Sequence, residues 1–474
     1  MLTRIVVGTA DLKGRDGLAQ AKESAHKFRR TLLFLVKLTS FAITVVIYSI
    51  VWFYFHGETT FFYRGNYIVI GLYCALLLVF NLLYSIYNYG HLRVSGMVGA
   101  GFIALMITNV ITYVQLCLIA TEVLAFVPLL CCTVLQAIVL VITSFAGHHL
   151  YYALYPRRNI VAIVSEYYMS RPLLQKFSLD PKKYAITEII SSTEPMDTIH
   201  DQIDEHSAVL LCDVEGDVRN DILRYCFYNN RRVYVLPSLA DILINSADNI
   251  QISDSAIFLL KNRGMSTEHR ITKRLFDIVI SGVGLIAASP FMLLVALLIK
   301  LSDRGPVLYK QTRLTEGEKE FEIYKFRSMV VDAEKVGGAQ LAAKGDTRIT
   351  PVGKFIRATR LDELPQIINL IKGEMSIVGP RPERPEMYEM YKQALPDFHL
   401  RCKVKAGLTG YAQVYGKYNT SVKDKLNMDL VYIHNASLLT DIKLILMTVK
   451  TVFSPEATEA IDEDYNSELN LEQK

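Results

Sequence analysis

Four long stretches without a formal charge occupy the first third of this chain: Leu38 to Phe55, Tyr67 to Tyr89, Val94 to Thr121 and Val123 to Pro156. A helix needs about 20 apolar residues to cross the hydrocarbon core, where no water satisfies a bare peptide group. Four transmembrane helices are therefore expected, near 33–55, 67–89, 96–118 and 129–152. Composition agrees: 51% of the 474 residues are hydrophobic and the mean hydropathy is +0.24, too apolar for an ordinary soluble enzyme.

Lys and Arg are retained on the cytoplasmic side of a span. His26-Lys27-Phe28-Arg29-Arg30, Arg93 and Arg157-Arg158 fall on one face if every stretch crosses once, whereas Glu58, Arg64 and Glu122 give the other loops little positive bias. Both termini are thus expected in the cytoplasm, and the polar first 25 residues do not read as a cleaved signal. Seven scattered cysteines, none paired at metal-ligand spacing, read as small apolar fillers. With a net charge of +4 and no basic stripe interleaved with aromatics, nucleic acid is not an expected partner.

After Arg158 the pattern changes to short β-rich runs, Asn159–Val164, Ala185–Ile190, Ala208–Cys212 and Arg232–Leu236, separated by stretches of helical length. Such alternation predicts a parallel, Rossmann-like α/β module, placed at 156–265. The turn after its first strand, Ser165-Glu166-Tyr167-Tyr168-Met169-Ser170, has none of the glycines that let a pyrophosphate approach the backbone, so a structural or regulatory module is expected ahead of a nucleotide-binding one.

Ile278 to Ile299 is again of spanning length, but Arg270, Lys273 and Arg274 precede it and Lys300 and Arg304 follow. A straight crossing would put one basic cluster outside. Pro290 frees the carbonyl of Ile286, which the Ser289 hydroxyl can help satisfy. A helix break at Ser289-Pro290, inside a re-entrant helix over 275–301, would let the segment enter and leave on one face.

Three motifs follow: Tyr324-Lys325-Phe326-Arg327-Ser328-Met329, Arg360-Leu361-Asp362-Glu363-Leu364-Pro365-Gln366 and Gly379-Pro380-Arg381-Pro382-Glu383-Arg384. Gly305–Gln311 and Phe321–Arg327 read as two extended segments joined at Thr315–Glu318, and strand alternation puts Lys325 and Arg327 on one side. Pro365 belongs in a first helical turn, so Asp362 lies close to a helix N-terminus, where free amides favour an ionised carboxylate and a phosphate. Asp362 and Glu363 project about 100° apart on a helical period and can take separate roles. Arg357, Arg360, Arg381 and Arg384, with Lys325 and Arg327, supply cations for a substrate phosphate, Arg381 foremost. Glu383 and Glu386 balance these arginines.

These motifs, with Lys403-Val404-Lys405-Ala406-Gly407-Leu408-Thr409-Gly410, resemble the bacterial sugar transferase family, whose members are polyprenyl-phosphate hexose-1-phosphate transferases. The resemblance is specific from about Arg270 to Phe453. It implies a cytoplasmic-face enzyme of the inner membrane that moves a hexose 1-phosphate from a UDP-hexose to undecaprenyl phosphate. Asp362 is then the nucleophile at the β-phosphate, releasing UMP, and Glu363, with Asp362, a ligand of Mg2+. Two departures touch selectivity: Ala406 and Lys417 stand where the family usually has proline and arginine.

The fold expected is thus a four-helix transmembrane bundle over 31–155 behind a cytoplasmic segment 1–30, the module, and a mainly α (α+β) monotopic catalytic domain over 268–454. Amphipathic helices on the bilayer surface are expected over 429–453, followed by a disordered tail, 455–474. His434 is expected at the surface. The membrane lipid is an expected partner, and the sequence allows a homo-oligomer. Two other functions fit the same features: a membrane glycosyltransferase that releases UDP, and a non-enzymatic regulator of polysaccharide export.

Overall fold

The computed structural model describes residues 3–55, 65–90, 92–165, 173–175, 177–178, 180–260, 265–331, 348–416 and 420–452. Glu58, Arg64, the turn residues 166–170, Lys417 and the tail 455–474 lie outside the described residues. The chain forms two compact units, Met1–Pro237 and Ser238–Lys474.

The first unit opens with α1 (Thr3–Phe55), α2 (Gly65–Leu83), α3 (Val94–Ala120) and α4 (Val127–Leu154). All four contain segments long and apolar enough to cross a bilayer, α1 from Phe28 onward. This is a membrane protein. Leu and Ile gain nothing by leaving lipid for a helix interface, so polar side chains link the helices instead. Asn109 Nδ2 donates to Thr133 Oγ1 at 2.8 Å and to Gln136 Oε1 at 3.0 Å, while Gln136 Nε2 reaches Tyr73 Oη at 2.8 Å and the Thr44 carbonyl at 3.0 Å. The second helix stops at Leu83, short of the expected 89, because the chain turns at Tyr84–Tyr87 with Ser85 at φ 50°.

Beyond α4, β1 (Arg158–Val164), β2 (Tyr184–Ser191), β3 (Ala208–Cys212) and β4 (Arg232–Val235) form a parallel sheet in the order β2-β1-β3-β4. Its central strands are buried on both faces, which their unbroken apolar runs require. Residues of α5 (Met196–Glu205) and α6 (Gly216–Tyr228), among them Ile199, Ile203, Ile222 and Cys226, join its core. Pro237 ends the first unit, and Ile242 of α7 (Leu239–Asn245) packs into the core of the second. The hairpin β5 (Asp248–Ile252) and β6 (Ser255–Leu259) also falls in the second unit.

The second unit hangs on α8 (Thr267–Asp303). The break expected at Ser289-Pro290 is absent: α8 is a single helix with Pro290 inside. The reason is local. Ser289 Oγ donates to the Ile286 carbonyl at 2.9 Å, the group that proline strips of its amide partner. Near the start of α8, Arg274 donates to the Leu370 and Ile371 carbonyls at 2.6 and 2.7 Å, and Asp277 accepts from Ser376 Oγ at 2.7 Å. Near its end, Val295 and Ile299 pack with Phe326 and Ile356. Between these contacts Val283, Ile286 and Leu293 are exposed.

The hairpin β7 (Leu308–Leu314) and β8 (Glu320–Phe326) turns at Gly317, φ 70°. After it come α9 (Pro351–Ala358), α10 (Gln366–Lys372), β9 (Ser376–Val378), α11 (Pro385–Ala394), β10 (Gly407–Thr409), α12 (Val422–His434) and α13 (Leu438–Val452). The last two helices turn one face into the core of the unit. Leu426, Leu430, Tyr432 and Leu444 are core residues. Their polar neighbours are satisfied inside the protein: Asp441, 0% exposed, pairs with Lys273 Nζ at 2.6 Å and accepts from Tyr432 Oη at 2.8 Å.

Candidate active site

Asp362 and Glu363 sit on a single turn of 3-10 helix, Leu361–Glu363, between α9 and α10. Arg360 enters this turn at φ 56°, a left-handed conformation rare outside glycine, and Pro365 caps α10. The carboxylates therefore precede the helix by one turn, close to the N-terminus that the sequence predicts. Asn369, 0% exposed, fixes α10 against the hairpin: its Oδ1 accepts from the Tyr324 amide at 3.0 Å and its Nδ2 donates to the Glu322 carbonyl at 2.7 Å. That seam sets Lys325 opposite Glu363.

Two cations converge on one oxygen. Lys325 Nζ lies 3.0 Å and Arg381 Nη2 2.8 Å from Glu363 Oε1. Burial pushes the Glu363 carboxyl up, but Arg381 and Lys325 together hold it well below the usual carboxylate range. Asp362 shifts the other way. Burial and the negative charge of Glu363 raise it, and Lys325 and Arg357 only partly offset them. Burial also lowers the Lys325 ammonium. Two neighbouring carboxylates thus differ in proton affinity, with Glu363 locked as an anion and Asp362 the more basic.

Arg381 belongs to the Gly379-Pro380-Arg381-Pro382 loop, which other backbones hold tightly. Gly379 N donates to the Thr409 carbonyl at 2.8 Å and Gly407 N to the Pro380 carbonyl at 2.9 Å. A Cβ on Gly407 would strike Gly379 N. Ala406 uses the N–H that a proline would lack, donating to Thr315 Oγ1 at 3.1 Å.

The other expected residues separate into groups. Arg357, in the last turn of α9, acts on Asp362 through its charge. Arg384 caps α11, and its charge is felt by Arg313 together with that of Arg381. Arg327 is not displayed beside Lys325: its guanidinium packs against Gly305, whose added Cβ would meet Nη1 at 2.6 Å. The role visible for Arg360 is its backbone turn. Lys405 caps α10 by donating to the Gly373 carbonyl at 2.7 Å. Glu383 makes its ion pair with Arg401, at 3.3 Å, rather than with an arginine of its own motif, and acts on Arg381 through its charge. His434 is half-buried, and burial lowers its imidazole.

Sequence reasoning missed Arg313 and the buried pair Arg401–Asp429. Arg313 Nη1 donates to the Pro382 carbonyl at 3.0 Å, and burial beside Arg381 pushes its guanidinium down to about 10. Arg401 Nη2 lies 2.8 Å from Asp429 Oδ2 and donates to the Arg381 carbonyl at 3.0 Å. No motif flags either one. The alternation of β7, which sets Arg313 and Gln311 on one side, was the available signal for the first.

Among the described residues no three His, Cys, Asp or Glu side chains gather as a metal cage. The donors that do adjoin, Asp362 and the Oε2 side of Glu363, are hard oxygens. They fit Mg2+, which takes one or two carboxylates and completes its shell with phosphate and water.

The profile of the bacterial sugar transferase family matches residues 268–455. UDP-N-acetylgalactosamine-undecaprenyl-phosphate N-acetylgalactosaminephosphotransferase of Aeromonas hydrophila is 42% identical over 185 residues, 38% of this chain and 44% of the relative. UDP-glucose:undecaprenyl-phosphate glucose-1-phosphate transferase of Escherichia coli K12 is 43% identical over 191 residues, 39% of this chain and 41% of the relative. The match to the exopolysaccharide production protein PSS of Rhizobium leguminosarum bv. phaseoli, 41% identical over 187 residues, is 38% of this chain but 94% of the relative. The matched region spans less than half the length of the first two relatives.

Proposed function

The chain belongs to the bacterial sugar transferase family, and from that premise we propose that it transfers a hexose 1-phosphate from a UDP-hexose to undecaprenyl phosphate, the first step of an exopolysaccharide or capsule. The carrying observation is the divided carboxylate pair: Glu363 clamped by Lys325 and Arg381, and Asp362 beside it with its charge less compensated.

In this reading an Asp362 carboxylate oxygen attacks the β-phosphorus of the nucleoside diphosphate sugar. A P–O bond forms, the bridge to the α-phosphorus breaks with its electron pair, and UMP leaves. A phosphate oxygen of undecaprenyl phosphate then attacks the same phosphorus and displaces Asp362, regenerating the carboxylate and giving undecaprenyl diphosphate sugar. Arg381 and Arg384 orient the diphosphate, Arg357 steadies Asp362, and Lys325 keeps Glu363 ionised. Asp362 and Glu363 would hold Mg2+, which when bound would neutralise part of the diphosphate charge.

Both ends of α8 pack against the same unit, through Arg274 and Asp277 at one end and Val295 and Ile299 at the other. In this reading α8 bends at Pro290 while its ladder continues, so that it dips into and returns from one leaflet, with the site on the cytoplasmic face of the inner membrane. The four N-terminal helices are read as a transmembrane bundle and the parallel sheet as a Rossmann-like module.

Nucleotide release from the purified chain tests this: UMP supports it, and UDP would mean sugar transfer without phosphate. Asp362→Ala should abolish release and the acid-stable adduct from radiolabelled donor. Unchanged turnover in that variant would remove Asp362 from the mechanism, and a parent chain that releases no nucleotide would leave the non-enzymatic regulatory role standing instead.

A further inference from the structure

Two aromatic rings at the end of α6 are left open: Phe227 is 81% and Tyr228 75% exposed, and they meet edge to face at 6.3 Å. Their place in the fold says what could cover them. All four strands of the sheet are parallel, so the strand N-termini share one edge. β1 begins at Arg158, just after α4 ends at Leu154, so that edge abuts the end of the last apolar helix. Side chains tie it there: Lys183 Nζ donates to the Gly90 carbonyl, in the turn between α2 and α3, at 2.6 Å. Arg158 Nη1 donates to Tyr234 Oη at 2.7 Å, and both Arg158 and Arg232 lie within electrostatic reach of Tyr151 on α4. α6 runs back from the far edge to the start of β4, so its last residues return to the same side. The Arg231 amide on the Cys226 carbonyl at 2.8 Å, with Asn230 at φ 52°, makes the turn that leaves both rings outside.

We propose that Phe227 and Tyr228 are an interfacial anchor that seats the α/β module on the bilayer surrounding this chain's own helices. Aromatic rings with one polar tip concentrate at the headgroup level. The edge carries the charge that anionic lipid attracts, with Arg157, Lys182 and Arg232 exposed along it. Of the acidic groups at this edge, Asp204 is engaged by Arg231 at 3.3 Å and by Tyr225 Oη at 2.7 Å, Asp180 lies within electrostatic reach of Lys183, and Glu205 is exposed. The proposal depends on the N-terminal helices crossing a membrane and not on the chemistry of the second unit, so either reading can fail without the other.

The chain has one tryptophan, Trp52, which makes the test direct. The full chain carrying Trp52→Phe and Phe227→Trp is placed in nanodiscs of phosphatidylethanolamine and phosphatidylglycerol, with or without bromine at carbons 6 and 7 of the acyl chains. The F227W probe should emit to the blue of free tryptophan, resist iodide, and lose about half its intensity to the brominated lipid. Emission at the free-tryptophan position with full iodide access overturns the proposal. So does a blue shift that bromine leaves unchanged, since a protein surface, such as a second copy, would then cover the ring. Tyr228→Trp in the same background gives the same readout should F227W not fold.

Discussion

Asp429→Ala tests how the phosphate-facing loop is held. Asp429 is 1% and Arg401 5% exposed, so neither reaches bulk water. Arg401 directs Nε at 3.0 Å and Nη2 at 2.8 Å to Asp429 Oδ2, places Nη1 3.3 Å from Glu383, and carries the Arg381 carbonyl on Nη2 at 3.0 Å. Removing one partner of a buried pair costs about 3–5 kcal/mol. Glu383 still neutralises part of the guanidinium, which points to the lower end, ~3 kcal/mol. In a unit of this size that lowers the unfolding midpoint by about 6–12 °C. The pair Arg401→Met with Asp429→Leu removes both charges and should recover most of the stability, to within ~1 kcal/mol of the parent. Turnover should fall in the double variant even as stability returns, because only there does the Arg381 carbonyl lose its charged donor, worth about 1.5–3 kcal/mol or roughly a 10- to 150-fold fall in kcat/KM. Thermal unfolding of the detergent-purified chain and UMP release read the two separately. A single variant that melts within ~2 °C of the parent, or a double variant no more stable than the single one, refutes this account of the loop.

Acid should silence the enzyme through Asp362, with the acid limb of kcat/KM above the ordinary aspartate value of about 3.9, since burial and Glu363 raise it while Glu363 itself stays ionised. Stability runs the other way: folding favours protonated Asp362, so its ionisation costs stability as pH rises through the folded value. Asp362→Asn should therefore melt higher at pH 8 and lose that advantage below pH ~3.9, which melting curves across pH will show. Gly353→Ala should destabilise the second unit by about 1–3 kcal/mol, read as a lower melting midpoint, because its Cβ meets the Ser328 carbonyl and α9, with Arg357, must move. Stripping Mg2+ with EDTA should stop UMP release and re-addition restore it; turnover that persists in the chelator removes the metal from the mechanism.

The parallel sheet was legible because β1 and β3 are buried on both faces and must be written as unbroken apolar runs. The three motifs of the site were legible for a different reason. Phosphate recognition needs guanidinium and carboxylate groups of specific type, which sequence displays directly. Ser289 and Ile286 were correctly paired from the missing proline amide, yet the helix stays whole around them. Asp429 and Asp441 misled: a carboxylate on an apolar helix reads as the wet face of a surface helix, whereas each meets a cation from far along the chain.

The sequence by itself determined which segments are too apolar to leave a bilayer, where the sheet lies, and which side chains could meet a phosphate, since hydropathy, strand pattern and residue chemistry are local. Only the tertiary structure decided that Lys325 and Arg381 share one oxygen of Glu363, that Arg327 packs under Gly305, and that Arg401 holds the Arg381 loop from within. Proton affinities and buried ion pairs depend on distances between groups remote in the chain, and no local pattern carries those distances.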